Sequence, residues 1–284
     1  MLFCTFVLVK RPLRLIFKSL DPLDMSDFRS SSGFLSSVPV VTKNLIIINV
    51  LFWAASAVLP KLGIDIQQYL GLHYIGSNKF FLSQLITYMF MHDPYNIGHV
   101  FFNMFGVFMF GRVLEQVWGP KRFLMFYMVT GIGAGIIQQL AWYIDLRPFL
   151  EAANNYSVTG DSSVLSHYLN IQEGVLYSAE TISEAKEMIL GSMLTVGASG
   201  AVFGILLGFG MLFPNAPLYL MFIPVPIKAK YMVVGYGLIE LFSGVVNFTG
   251  DNVAHFAHLG GMLFGFFLIR YWKKKGIGNG FFLG

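Results

Sequence analysis

Charge is what this chain has least of. Asp, Glu, Lys and Arg make up only 12% of its 284 residues, against about 25% in soluble domains, while 55% are hydrophobic. That composition describes an integral membrane protein. A single cysteine, Cys4, excludes an intramolecular disulfide framework and leaves no thiolate metal cluster. No His-Glu-x-x-His string occurs, which removes zinc hydrolysis of that type. No pair of aspartates falls inside the apolar runs, which removes an aspartyl mechanism in the membrane. Residues 2–9 are not expected to act as a secretory signal: they are apolar, but positive charge follows them rather than precedes them, without an obvious small-residue cleavage site. No internal repeat, low-complexity tract or second soluble domain is visible.

What is present are six apolar segments near the 20 residues that a bilayer crossing takes: 45–62, 97–114, 123–144, 193–213, 231–248 and 253–272. Between the first two, 80–91 is apolar but too short to span, and reads as an interfacial or re-entrant helix in a structured loop. Residues 218–227 are apolar but interrupted by Pro224 and Pro226, with Pro217 just ahead, and read as a connector. The formal charge of +4 is spread in a way that speaks for membrane orientation rather than nucleic-acid binding. With both termini inside, fifteen of the nineteen Lys and Arg face inward, and Lys61, Lys79, Arg147 and Lys186 remain outside. This asymmetry predicts an all-α, six-span polytopic bundle with N-in/C-in topology. Residues 1–43 form a basic cytoplasmic tail in which Met25 would serve equally as the start. Residues 44–272 form the membrane domain, and 273–284 a cytoplasmic tail. The polar stretch 145–192 falls outside and carries seven of the fifteen acidic residues. Thr181-Ile-Ser-Glu184 has capping-box form there, predicting a short helix to about Leu190 within an ordered cap or a substrate-access element.

The topology fixes the depth of each polar residue. His99 and Asn103 sit in the first two turns of the second span, Ser199 near the second turn of the fourth, and His255 and His258 at the start of the sixth. All three spans run inward, so at 1.5 Å per residue these groups share one shallow layer, and polar side chains in lipid face the bundle interior. Ser199 near a helix N-terminus lies in a field that favours a developing oxyanion. An imidazole from the sixth span would take the hydroxyl proton and return it to a leaving amine. His99 and Asn103 are four residues apart on one helix face and both can donate to an oxyanion. No Asp or Glu is placed to orient the histidine, which predicts a dyad rather than a triad.

Gly197-Ala-Ser-Gly200, His99-Val-Phe-Phe-Asn103, and Ala257-His258-Leu-Gly-Gly261 followed by Gly265 together resemble the signature of rhomboid intramembrane serine proteases, in the same order and on the matching spans. The resemblance covers about residues 44–271. It implies a six-helix bundle that hydrolyses peptide bonds of single-span membrane proteins near the outer leaflet, without cofactor, metal or nucleic acid. It implies Ser199 as nucleophile and His258 as its base. His99, Asn103 and the Ser199 backbone N–H would form the oxyanion hole, lined by Gly197, with Phe203 packed against the catalytic imidazole. The chain departs from many members at Ser83-Gln84, where they carry Trp-Arg, and in the length of the 145–192 insertion.

Each of these residues also has a plainer reading. Gly200, Gly204 and Gly208 at four-residue spacing suit a close helix-packing face, and Gly261 and Gly265 would let the sixth span approach the fourth. His255 reads as a hydrogen-bonded structural histidine, as does His92, while His73 and His167 read as solvated loop residues. Glu240, the one mid-span carboxylate, reads as neutral or hydrogen-bonded inside the bundle. Two other functions compete: a haem-binding anchor or electron carrier with His99 and His255 or His258 as axial ligands, and a small transporter built on Glu240. A bacterial inner membrane is the expected location.

Overall fold

The computed structural model describes residues 7–8, 37–169, 171–220, 223–246 and 254–276. Met25, most of both expected tails, and residues 247–253, where the fifth span was expected to end and the sixth to begin, lie outside the described residues. Strand β1 (Val7–Leu8) is followed by helix α1 (Val40–Val58), which a 3-10 turn carries on to Leu62. The helix begins earlier than its apolar run because a carboxylate from elsewhere caps it. Glu115 accepts from the backbone N–H of Val41 (2.9 Å) and Thr42 (2.7 Å) and from the Thr42 hydroxyl (2.8 Å), where the helix dipole favours negative charge.

Helix α2 (Ile66–Leu70) leads into β2 (Leu72–His73) and the loop before the second span; His73 is fully buried in that strand rather than solvated, its Nε2 3.0 Å from the Gln68 carbonyl. That loop holds one short turn, α3 (Gln84–Thr87), and a 3-10 turn Tyr88–Phe90, in place of the expected single interfacial helix. Gln84 anchors it: its side chain accepts from the His73 N–H (3.2 Å) and donates to the carbonyls of Tyr69 (3.2 Å) and Lys79 (2.9 Å). The Ser83-Gln84 departure therefore brings its own fastening.

The second long helix joins α4 (Ile97–Gly106) and α5 (Arg112–Trp118) through a π-helical stretch at Val107–Gly111. After Gly119 comes α6 (Pro120–Thr159), forty residues, about 60 Å at 1.5 Å each and twice the thickness of a hydrocarbon core. The stretch 145–159, expected as polar loop, is helix. Leu146, Phe149, Ala153 and Tyr156 recur at helical spacing and are buried, packing with Leu165, Leu169 and α7 (Ala179–Ser192). Tyr156 clamps this cap, its hydroxyl accepting from the Tyr177 N–H (2.6 Å) and donating to the Tyr177 carbonyl (3.0 Å). The N-cap of α7 is Ser178, whose hydroxyl accepts from the Thr181 N–H (3.1 Å), so the expected Thr181 capping box is displaced by three residues.

The fourth apolar run does not form one helix. Leu194–Thr195 is strand β3, paired antiparallel with β2 (Leu72↔Thr195, His73↔Leu194), and α8 spans only Ser199–Leu212. Nor is 218–227 an irregular connector. β4 (Pro217–Leu220) and β5 (Ile223–Lys228) pair antiparallel, and β1 adds to β4, giving the order β1-β4-β5. Pro224 and Pro226 fall in β5, an edge strand, which is where a sheet tolerates proline. Helices α9 (Ala229–Val246) and α10 (His255–Lys274) complete the described chain.

Among the described residues, Val40–Leu62, Ile97–Trp118, Pro120–Thr159 and Ala229–Val246 are long and apolar enough to cross a membrane, and Ser199–Leu212 is apolar but shorter. Helix α10 packs on α6 and α8, with α9 alongside. Small residues carry this packing, as expected where lipid removes the hydrophobic drive between helices. A Cβ at Gly200 would overlap Ala134, one at Gly204 would press on Thr130 (2.6 Å), and one at Gly208 would meet Leu114 (3.1 Å). At the far end Trp118 packs at a tilt against Phe126 (4.8 Å, 53°) and lies edge-on to Trp272 (5.2 Å).

Candidate active site

Ser199 is the first residue of α8 rather than a second-turn residue. The reason is Gly197, whose φ of +132° cannot continue a helix and is strained for any side chain. Gly197 is doubly constrained, since a Cβ there would lie 2.7 Å from His99 Nε2 and 3.6 Å from Ser199 Oγ. Its N–H donates to the Tyr88 carbonyl (3.0 Å), and the Tyr88 hydroxyl donates to the Gly131 carbonyl (2.7 Å). The loop before α4 thus fastens the serine turn to α6. Sequence reading passed over Tyr88, whose only signal was its place in an apolar loop.

Close approach of α10 delivers the histidine. A Cβ on Gly261 would overlap the Gly200 carbonyl oxygen, and one on Gly265 would touch Phe126 (3.1 Å), Thr130 (3.3 Å) and the Gly204 Cα (3.6 Å). One turn before Gly261, His258 Nε2 stands 2.8 Å from Ser199 Oγ. Phe203, one turn into α8, stacks flat on the His258 ring at 4.3 Å and 7°. The glycine face and the serine are therefore parts of one arrangement, not rival readings.

On α4, His99 lies against Gly197 as described, and Asn103 is buried. The Asn103 amide nitrogen is 3.1 Å from His92 Nε2. One of its two hydrogens goes to His92, leaving the other for an oxygen anion. His92 is fully buried, its ring lies edge-on to His99 at 5.0 Å, and burial pushes its imidazole down to about 3. It is neutral at physiological pH, as an acceptor from Asn103 must be. The structural role read for His92 is thus to aim Asn103.

The expectation that no acid stands behind His258 is overturned. Glu240 Oε2 is 2.8 Å from His258 Nδ1 and 2.7 Å from His255 Nδ1, and all three residues are buried. Glu240 comes from α9, and Gly244 one turn further on lets that helix close on α10, with His255 Cβ and the Phe256 ring each 3.2 Å from where a side chain would start. Glu240 is hydrogen-bonded inside the bundle, as read from the sequence, and His255 is its second partner. Among the described residues, these three also form the group whose donor atoms, all within 4.8 Å, could hold a metal ion. With carboxylate–imidazole contacts of 2.7–2.8 Å, hydrogen bonds account for the set. Haem ligation through His258 fits poorly, because both of its ring nitrogens are engaged, one by Glu240 and one by Ser199.

A bundle of apolar helices holding a half-buried serine against a buried histidine and a buried carboxylate defines a multi-pass membrane protein with a hydrolase-like centre. The Rhomboid domain family signature matches residues 79–146 and 152–275, well over half the chain. The chain belongs to the rhomboid family, and the family points to intramembrane proteolysis. It is also similar to RHOMBOID-like protein 12, mitochondrial, of Arabidopsis thaliana, at 28% identity over 182 residues. That match covers 63% of this chain and 43% of the relative, so the chain spans less than half the relative's length.

Proposed function

We propose that this protein is an intramembrane serine endopeptidase that cleaves single-span membrane proteins near the outer leaflet. The observation that carries the reading is the 2.8 Å contact between His258 Nε2 and Ser199 Oγ, with Phe203 stacked behind the ring. In this reading His258 takes the hydroxyl proton as Ser199 Oγ attacks the peptide carbonyl carbon. The tetrahedral oxyanion is held by His99, the second Asn103 hydrogen and the Ser199 backbone N–H, one of the first-turn donors that a helix leaves unpaired. Collapse breaks the C–N bond, and His258 passes its proton to the departing amine. Water then enters and gives a proton to His258 as its oxygen attacks the acyl carbon; the ester C–O bond breaks, His258 returns the proton to Ser199 Oγ, and the acid is released. Gly197 lines the oxyanion site, because any side chain there would fill the space between His99 and Ser199.

The same reading takes six helices as spans, α1, α4–α5, α6, α8, α9 and α10, with both termini inside. It is supported by the inward excess of Lys and Arg and by the common depth of the polar groups. Substrates would be helices that unwind readily at that depth, since an intact helix shields its own peptide bonds. A bacterial inner membrane is the proposed location, and fractionation of the native host tests it, a mitochondrial signal overturning it. The functional test is cleavage of a reconstituted single-span substrate. Wild type is expected to cleave it and Ser199→Ala to leave it intact; cleavage by Ser199→Ala would end the proposal.

A further inference from the structure

The geometry points to Glu240 as a positioning residue for His258, making the centre a Ser–His–Glu relay bracketed by His255; this rests on the protease reading above. A serine hydrolase that works with two residues leaves the far nitrogen of its histidine to chance or to water. Here that nitrogen has a fixed partner. The His258 Nδ1 hydrogen points at Glu240 Oε2 over 2.8 Å, so the proton resides on Nδ1 and the lone pair on Nε2, where Ser199 Oγ waits at 2.8 Å. Only that tautomer can accept the serine proton.

The second histidine explains how a carboxylate is tolerated at this depth. Glu240 is 9% exposed, and a lone buried carboxylate is costly. Two charge-assisted N–H donors converge on the same oxygen, from His258 and, at 2.7 Å, from His255. His255 and His258 are three residues apart on α10 with rings nearly perpendicular (87°), so one oxygen meets both. Stacking on Phe203 limits the remaining freedom of the His258 ring to slide. During attack the proton moves from Ser199 Oγ to His258 Nε2. The Nδ1 hydrogen stays where it is, the carboxylate remains ionised, and the new imidazolium faces it directly. The other groups packed around His258 leave this assignment intact: α8 contributes Ser199 and Phe203, α4 contributes His99, and α6 meets α10 through Ala134 and Ile137.

The experiment compares wild type, Glu240→Gln and Ser199→Ala on a reconstituted single-span substrate, reading kcat and KM separately. Glu240→Gln keeps the shape and removes the charge. The expected result is a kcat lower by about 10²–10³-fold with KM changed by less than about threefold, somewhat milder than loss of the orienting carboxylate in triad proteases. Equal kcat in wild type and Glu240→Gln overturns the role of Glu240 while leaving the protease reading standing. Wild type as inert as Ser199→Ala overturns the protease reading itself. Because Glu240→Gln can fail to fold, a second readout does without that variant. The ¹⁵N spectrum of histidine-labelled protein, with the His258 signal assigned by its loss in His258→Asn, is expected to show the Nδ1–H tautomer. An Nε2–H tautomer for His258 overturns the proposal. So would activity lost to EDTA and restored by Zn²⁺, which would make Glu240, His255 and His258 ligands.

Discussion

Adding one methyl group at Gly261 should disable the protein without touching a reacting atom. A Cβ there would overlap the Gly200 carbonyl oxygen, and because backbone meets backbone neither side can rotate away. Carbon and oxygen settle near 3.3 Å or beyond, so α10 would have to withdraw from α8 by roughly 1 Å or more. His258 lies one helical turn before Gly261 and Ser199 next to Gly200, so the withdrawal falls directly on the 2.8 Å Ser199–His258 contact. Stretched by that much, it is no longer a hydrogen bond. A misplacement of about 1 Å costs on the order of 10²-fold in rate, and the overpacking itself about 1–3 kcal/mol in stability. The assay is the rate of Ser199 labelling by a fluorophosphonate in detergent, alongside a thermal melt. Gly235→Ala, where nothing lies within 4 Å of the new atom, is the control and is expected to label at the wild-type rate. Labelling of Gly261→Ala within threefold of wild type would refute the claim that glycine-mediated contact sets the catalytic distance.

Two further predictions follow from the loop and α4. Asn103→Ala removes one oxyanion donor and is expected to lower kcat by about 10²-fold with little change in KM; an unchanged kcat would remove Asn103 from the site. His92 is held neutral with its pKa pushed down to about 3 by burial, below the ordinary 6.5. The unfolded chain therefore binds a proton that the folded one refuses, and this contribution is intact above pH 6.5 and lost as pH falls toward 3. The slope is at most about 1.4 kcal/mol per pH unit. Between pH 6.5 and 4.5, denaturant midpoints should fall more steeply for wild type than for His92→Asn; parallel curves would contradict this.

The polar layer of the candidate site was largely legible because its residues sit in short strings at helix starts, where depth can be counted from the chain. Glu240 was present in that count as well. It lies six residues from the end of α9 that faces the starts of α8 and α10, about 9 Å by helical rise, in the same layer as His258. Read by itself as a mid-span acid, it was not matched with imidazoles 15 and 18 residues later in the chain. The length of α8 was misread because residues 193–196 are as apolar as the helix that follows. Pairing with β2 and the positive φ of Gly197, neither of which a hydropathy scan registers, end the helix at Ser199. Helix α6 was cut short for the opposite reason. Its last turns are polar on average, yet Leu146, Phe149, Ala153 and Tyr156 keep a helical period that needed α7 and Leu165 to give it a partner.

The measurement closest to the central claim is fluorophosphonate labelling of the detergent-purified full chain, comparing wild type with Ser199→Ala and His258→Ala. The account predicts covalent labelling of wild type and its loss in both variants, meaning a serine activated by that histidine. Folded wild type that fails to label, or labelling that survives Ser199→Ala, would contradict it.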